Sequence, residues 1–209
     1  MSWFREYASY LVSELRKLKF REISVSRDGF AGAKITFNKT VFCIDVLNTQ
    51  NCDYALYTHL HPRHFPGYDN VDTSRVVSPS IGFFRVKPGD AISIGNVKII
   101  AVDAYNISET GKEPAHPKGF GVGYIMKFDN AIVYHMGDTD FIPEILNLKT
   151  PIHILFIPIG CENVLCPEEA LEIVKSLRPS ITIPIHYVDK GFLHTFRYIA
   201  QPYTQVVVL

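Results

Sequence analysis

Neither sign of charge dominates this sequence: Lys+Arg and Asp+Glu both number 21. That balance offers no global field for nucleic acid or for an anionic membrane. No apolar run reaches the length needed to span a bilayer. The opening segment MSWFREYASYLVSELRKLKFRE is broken by charges and has no signal-peptide apolar region. The expectation is a soluble, cytoplasmic protein, with membrane and nucleic acid set aside as partners. Cysteine is scarce: Cys43, Cys52, Cys161 and Cys166, with no CxxC pair of zinc-knuckle type. The even number leaves disulfides open, but a reducing compartment favours thiols, buried or near a site. There is no GxGxxG after the first strand and no P-loop, which weakens nucleotide-binding readings. No internal repeat, low-complexity tract or linker stands out. What is present is 209 residues, 47% of them hydrophobic, enough for one sizeable core.

Residues 3 to 18 carry Trp3, Phe4, Tyr7, Leu11, Leu15 and Leu18 at helical spacing, with Arg5, Glu6, Arg16 and Lys17 mostly off that face. This predicts an amphipathic helix, packed on its own domain or offering a homodimer contact. Short strand-like runs follow: EISVSR, AKITFN, TVFCID, YALYT, VKIIAVDA, VGYIMKF, AIVYHM, IHILFIPI, SITIPIHY and QVVVL. Several are continuous Val/Ile stretches, which predicts strands covered on both faces. CPEEALEIVKSL is the clearest helix, with Pro167 suited to the first helical position and Glu168 and Glu169 to the positive end of the dipole. FIPEILNL is a shorter candidate. Many strands with few intervening helices point to a layered α/β sandwich rather than an alternating βαβ array. The expected division is one domain over 1–209, with the helix over 1–20 and the sandwich over 21–209.

The chemistry concentrates at strand ends, where loops carry functional groups on a rigid scaffold. In YTHLHPRHFPG, His59, His61 and His64 fall within six positions, with Arg63 among them. His59 and His61 are two apart, so in an extended segment they face the same way. Pro62 allows a bend that swings His64 to another side. Three further places join this one: His116 in AYNISETGKEPAHPKGFGVGY, Asp138 in YHMGDTDF, and His186 in TIPIHY. Imidazole nitrogens and carboxylate oxygens are the makings of a zinc or related divalent site. Each member alone has a plainer role: Asp138 can form an Asx-turn, and His135, His153 and His194 are read as hydrogen-bonded structural histidines. The ordered set carries more weight than its members.

That order resembles the metallo-β-lactamase superfamily, in its metal-dependent hydrolase branch with ascorbate-phosphate-lactonase-like proteins. The match runs over about residues 22 to 209 and is most specific from AYN…HPKGFGVGYI through IVYHMGDTDFIPE to IPIHY. The resemblance implies a four-layer αββα sandwich with the metal site at one edge of the two sheets; the N-terminal helix is an addition. It implies His59, His61 and His116 as ligands of one metal, His64 and His186 as ligands of a second, and Asp138 as the bridging carboxylate. Asp45 in FCID matches a family aspartate expected to support the ligands from behind. The activity implied is hydrolysis by a metal-bound hydroxide.

The departures matter most. The family motif HxHxDH reads HLHPRH here, so Arg63 stands in the place of an anionic ligand. Arginine cannot usefully deprotonate and cannot ligate. Two cations 4 Å apart repel by roughly 4 kcal/mol at an effective dielectric of 20. An inward Arg63 would fill the second site and pair with Asp138; an outward one would leave His64, Asp138 and His186 as a weak second site. In GCENVLCPEE, Glu162 would pair with Arg63, replace the lost carboxylate or sit exposed. The expected activity is a hydrolase holding one metal, zinc by its ligand set, acting on an ester, lactone or phosphoester of a small, anionic substrate. Asp138, Arg63 and His64 would act at the reacting centre. The alternative is a non-catalytic relative that binds an anionic small molecule or has lost metal and activity. The stretches 65–90 and 105–120 are the loops that would shape a pocket.

Overall fold

A computed structural model describes residues 16–107 and 113–209. Two seven-stranded sheets face each other. The first contains β1 (Leu18–Phe20), β2 (Ile23–Asp28), β3 (Gly32–Phe37), β4 (Thr40–Ile44), β5 (Tyr54–Leu56), β6 (Val76–Ser78) and β7 (Phe84–Arg85), in that spatial order. The second contains β8 (Ala91–Ile94), β9 (Val97–Ala104), β10 (Gly121–Lys127), β11 (Ile132–His135), β12 (Ile154–Pro158), β13 (Ile181–Ile185) and β14 (Gln205–Val206), again in order. In both sheets the first four strands pair antiparallel and the last three continue parallel. The sequence shows no repeat, yet the topology repeats.

Side-chain alternation explains how the layers close. In β12, Ile154 and Phe156 enter the core between the sheets, while Leu155 and Ile157 join the core on the outer face. A run with no polar residue is required where both faces are covered. The outer cover of the second sheet includes α1 (Pro143–Leu146), α2 (Pro167–Leu177) and α3 (Lys190–Ala200), through Ile145, Ile173, Val174, Leu193 and Phe196. In the first sheet, β3 buries Ala33, Ile35 and Phe37 but leaves Lys34 and Thr36 half-buried. Its outer face is the more polar one.

All ten expected strands are present, as are two of the three expected helices, FIPEILNL and CPEEALEIVKSL. Pro167 opens α2, and Glu169 accepts a hydrogen bond from the Cys166 N–H at 2.7 Å, completing a capping box. The strands β1, β6, β7 and β8 and the helix α3 were not anticipated. Four of these elements are strands of two to four residues, too short for periodicity to speak. Helix α3 did carry a signal: Leu193, Phe196 and Ala200 on one face, with Asp189 accepting from the Gly191 N–H at 2.7 Å. The N-terminal helix expected over 1–20 lies largely outside the described residues. Its end is corrected, because Leu18–Phe20 forms β1 and the sandwich starts there rather than at residue 21. Pairing with β2 overrides the helical spacing of Leu18.

The cysteines also need correction. Cys43 pairs with Cys52 and Cys161 with Cys166, so no free thiol is present. Each pair closes a short loop beside the site described next. Among the described residues no helix is long and apolar enough to cross a membrane.

Candidate metal centre

The ends of β4, β5, β11 and β13 converge at one edge of the sandwich. His59, His61 and His64 follow β5; Asp138 follows β11; His186 follows β13; His116 precedes β10. The chain must turn sharply at these ends. Asp45 and His186 adopt positive φ (49° and 54°), a conformation that side-chain-bearing residues hold only when surrounding contacts enforce it. Gly137 sits at φ 68°, and a Cβ there would press on the Val122 carbonyl and on Thr58. A Cβ at Gly160 would collide with the His186 carbonyl. The Gly-Asp-Thr turn and the Pro-Ile-Gly turn are thus set by close backbone approach.

Four imidazoles aim Nε2 at one oxygen. Asp138 Oδ2 lies 3.0 Å from His186, 3.4 Å from His64, 3.7 Å from His116 and 3.8 Å from His59. Only the first is a hydrogen-bond distance. His59 Nε2 and His64 Nε2 are buried with no hydrogen-bond partner. Buried polar atoms are rarely left so without a ligand to satisfy them. Ligand atoms come within 4.8 Å of one another in three groups: His59, His61 and His64; His59, His116 and Asp138; His64, Asp138 and His186. The residues therefore fit a divalent cation, which would take up the idle nitrogens and the carboxylate. His61 groups with His59 and His64 but not with His116, and it is the exposed member.

A set of hydrogen bonds fixes each tautomer. Asp45, 1% exposed, accepts from the Thr58 N–H at 2.8 Å and from its hydroxyl at 2.7 Å. Its Oδ2 also faces His64 Nδ1 at 3.0 Å. A carboxylate only accepts, so His64 Nδ1 carries a proton; in the neutral ring, the form that a cation would bind, Nε2 is the lone pair. The Thr58 hydroxyl, its proton committed to Asp45, accepts from His59 Nδ1 at 3.0 Å. His116 Nδ1 donates to Asn106 Oδ1 at 2.7 Å, and Asn106 Nδ2 donates to Asp140 and to the Asn163 carbonyl, each at 2.8 Å. Asp45, expected behind the ligands, accepts hydrogen bonds from Thr58 and His64. Thr58 and Asn106 were missed; Asn106 stands in the quoted AYN, but nothing local shows what it reaches.

The electrostatics of the protein groups alone follow from this crowding. Burial would lower the His64 pKa, but the charge and hydrogen bond of Asp45 and the charge of Asp138 outweigh it and hold it at about 10. Burial, with the nearby His64 charge, pushes His59 down to about 4. Burial also lowers His116 and His61. Burial would raise Asp138, yet the hydrogen bond from His186 and the nearby charge of His64 keep it well below the usual carboxylate range. Perturbation this dense in one cleft is typical of functional sites.

Arg63 does not enter the ligand cluster. It is exposed, and its guanidinium carbon lies 4.9 Å from the centre of the Phe30 ring, itself 4.3 Å from the His186 ring. It forms no ion pair with Asp138 or Glu162 among the described residues. The outward alternative is therefore the one observed. Arg63, Glu162 and Asn163 instead line a cavity of about 300 Å³ that opens onto His116, Asp138 and His186. Glu162 is exposed and touches no ligand histidine through a hydrogen bond. The three histidines read as structural are outside the cluster. His135 is fully buried, with Nε2 2.8 Å from the Ala31 carbonyl and Nδ1 accepting from Gly137; His153 accepts from the Ile132 N–H; His194 is exposed on α3.

The profile described as "Beta-lactamase superfamily domain" matches residues 15–186. A relative from Thermococcus onnurineus, named a metal-dependent hydrolase, is 36% identical over 154 residues, which cover 65% of this chain and 66% of that protein. The solved structure of a protein from Parabacteroides distasonis superposes with a TM-score of 0.78 at 24% identity, covering 92% of this chain and 97% of that one. Igni18, a metallo hydrolase from Ignicoccus hospitalis, superposes with a TM-score of 0.71 at 19% identity, covering 90% and 94%.

Proposed function

The chain belongs to the beta-lactamase superfamily, with metal-dependent hydrolases among its relatives, and from that premise we propose that it hydrolyses a small anionic ester, lactone or phosphoester with a single bound metal, zinc by ligand preference. The observation that carries this reading is the convergence of four Nε2 atoms on Asp138 Oδ2, two of them buried with no partner. His59, His116 and Asp138, whose ligand atoms group together, would hold the metal, with the exposed His61 turning in beside His59 as the fourth ligand; a nitrogen-rich set of this kind suits zinc. A cation held there supplies Lewis acidity, lowering the pKa of water and polarising the oxygen under attack. Asp138 would orient the attacking water. Asp45, Thr58 and Asn106 hold the imidazoles in the tautomers that present Nε2. His64 and His186 have only Asp138 to complete a second set, because the motif carboxylate is replaced by Arg63. From the mouth of the 300 Å³ cavity, the guanidinium faces the negative charge of the substrate, a role that a second cation would otherwise fill.

Metal analysis of protein purified without added metal tests the reading: about one equivalent per chain is expected, with turnover of at least one of a phosphodiester, lactone or thioester panel. No metal and no turnover would sink it. Arg63→Asp should raise the stoichiometry towards two; an unchanged value means that the arginine does not limit the second set. One observation favours a second reading, a non-catalytic anion binder. Arg63, at the sequence position of the motif carboxylate, puts a fixed positive charge on the lining of the 300 Å³ cavity. In that case the protein would bind phosphate in the cavity with the metal absent and turn over nothing.

A further inference from the structure

The cluster opens onto a second, larger space. A groove of about 850 Å³ runs between the loop after β4 and the segment 60–70 that carries the histidines. The chain passes between the two cavities in consecutive residues. His61 lines both, Pro62 lines the groove, and Arg63 lines the smaller cavity.

The two spaces differ in chemistry. The smaller holds Arg63, Glu162, Asp138 and histidines. The groove has no Asp, Glu, Lys or Arg in its lining. Its apolar surface comes from Leu47, Leu60, Phe65 and Tyr68, and Leu47 and Tyr68 are 51% and 62% exposed. Thr49 and Asn70 add polar atoms at the walls. A largely apolar cleft with a few placed polar groups is what a ligand site requires.

The groove is also built before any ligand arrives. The Thr49 hydroxyl donates to the Asn70 carbonyl at 3.1 Å, tying one wall to the other. Asn70 Nδ2 donates to the Pro66 carbonyl at 2.9 Å. Tyr68 packs edge-on against Phe65 at 5.3 Å, and Phe65 against buried Tyr57 at 5.0 Å. The Cys43–Cys52 pair closes the loop that presents Leu47 and Thr49. Such preorganisation reduces the ordering cost of binding.

We propose that this groove binds the uncharged, largely apolar part of the substrate, an acyl or aryl group, while the anionic reacting end lies beside Arg63. The inference rests on the hydrolase reading for the position of the reacting end. The groove itself rests on its own lining. A charged substituent at the far end would be rejected, because nothing in the lining pairs with it and desolvation would go uncompensated.

The test uses metal-loaded protein and the non-hydrolysable series methyl-, butyl- and hexylphosphonate, titrated calorimetrically. Affinity should rise by up to about fourfold per methylene. Leu47→Asp and Tyr68→Asp should each reduce the hexyl-to-methyl affinity ratio at least tenfold. Both side chains are exposed, so neither substitution threatens the core. Tyr198→Asp, on the exposed side of α3, should leave the ratio unchanged. A flat series in protein that binds methylphosphonate would overturn the groove and leave the metal reading standing. If no phosphonate binds, the neutral fluorescent probe N-phenylnaphthylamine decides. Enhanced emission abolished by Leu47→Asp supports the groove and places the failure on the metal reading. No enhancement, or enhancement indifferent to Leu47→Asp, overturns the groove.

Discussion

In the first sheet, Asp45 follows directly on the fourth strand; in the second, Asp138 stands three residues beyond the fourth strand's end at His135. The two strands occupy the same place in the two sheets. The carboxylates that follow them have opposite surroundings. Asp45 is closely partnered on both oxygens, with both Thr58 groups and His64 Nδ1 at 2.7 to 3.0 Å. Asp138 offers one oxygen to four imidazoles, three of them beyond 3.3 Å. A carboxylate whose two oxygens already take three donors has little left to give a cation; an under-satisfied one has more. The repeated topology provides two equivalent strand ends, and hydrogen bonding leaves Asp138 rather than Asp45 open to the ligand's role in the proposed centre.

Substitution at the two positions should separate those roles. The largest effect is expected from Asp138→Ala, which should take metal content from about one equivalent to near zero and reduce hydrolysis by roughly a hundredfold or more. Plasma mass spectrometry and initial rates measure both. Asp45→Asn should act through the fold first. It removes one partner of a fully buried pair, which costs about 3 kcal/mol, and weakens metal binding by about 10- to 100-fold. Urea denaturation of chelator-treated protein reads the first number. If Asp45→Asn loses all metal with stability unchanged, the distinction between the two carboxylates collapses.

Asn106→Ala should be milder still. Releasing His116 Nδ1 is expected to weaken metal binding by roughly tenfold, measured by competition with a chromophoric chelator. The fold should persist, because the sheets do not depend on this residue.

The pH dependence of chelator-treated protein gives the finest test. His64 is raised from 6.5 to about 10, so its contribution is complete below pH 6.5 and is lost as pH rises through 10. His59 is lowered from 6.5 to about 4, so its contribution is present above pH 6.5 and is lost as pH falls through 4. The urea midpoint should therefore peak near pH 6.5. In Asp45→Asn the alkaline decline should flatten, because His64 loses the partner that holds its proton.

How much was legible beforehand depended on the range of the interaction. The strand AIVYHM and the helix CPEEALEIVKSL announce themselves by period and cap, within a dozen residues. Helix α3 carries the same kind of signal in Leu193, Phe196 and Ala200. His59, His61, His64, His116, Asp138 and His186 were all named, since their order along the chain is distinctive. Thr58 was not, because a threonine before a histidine is unremarkable until Asp45 is seen against its hydroxyl. The cysteine pairs were misjudged because composition speaks to compartment, whereas pairing depends on the distance between Cα atoms.

The sequence by itself determined the strand alternation, the set of candidate ligands and the replacement of a motif carboxylate by Arg63. These are properties of residue type and local spacing. Only the tertiary structure decided that Arg63 turns outward to Phe30, that Asn106 reaches His116, and that a neutral groove adjoins the charged cavity. Each of those depends on groups brought together from distant parts of the chain or on the direction a side chain takes. Packing fixes such contacts, and no local pattern encodes them.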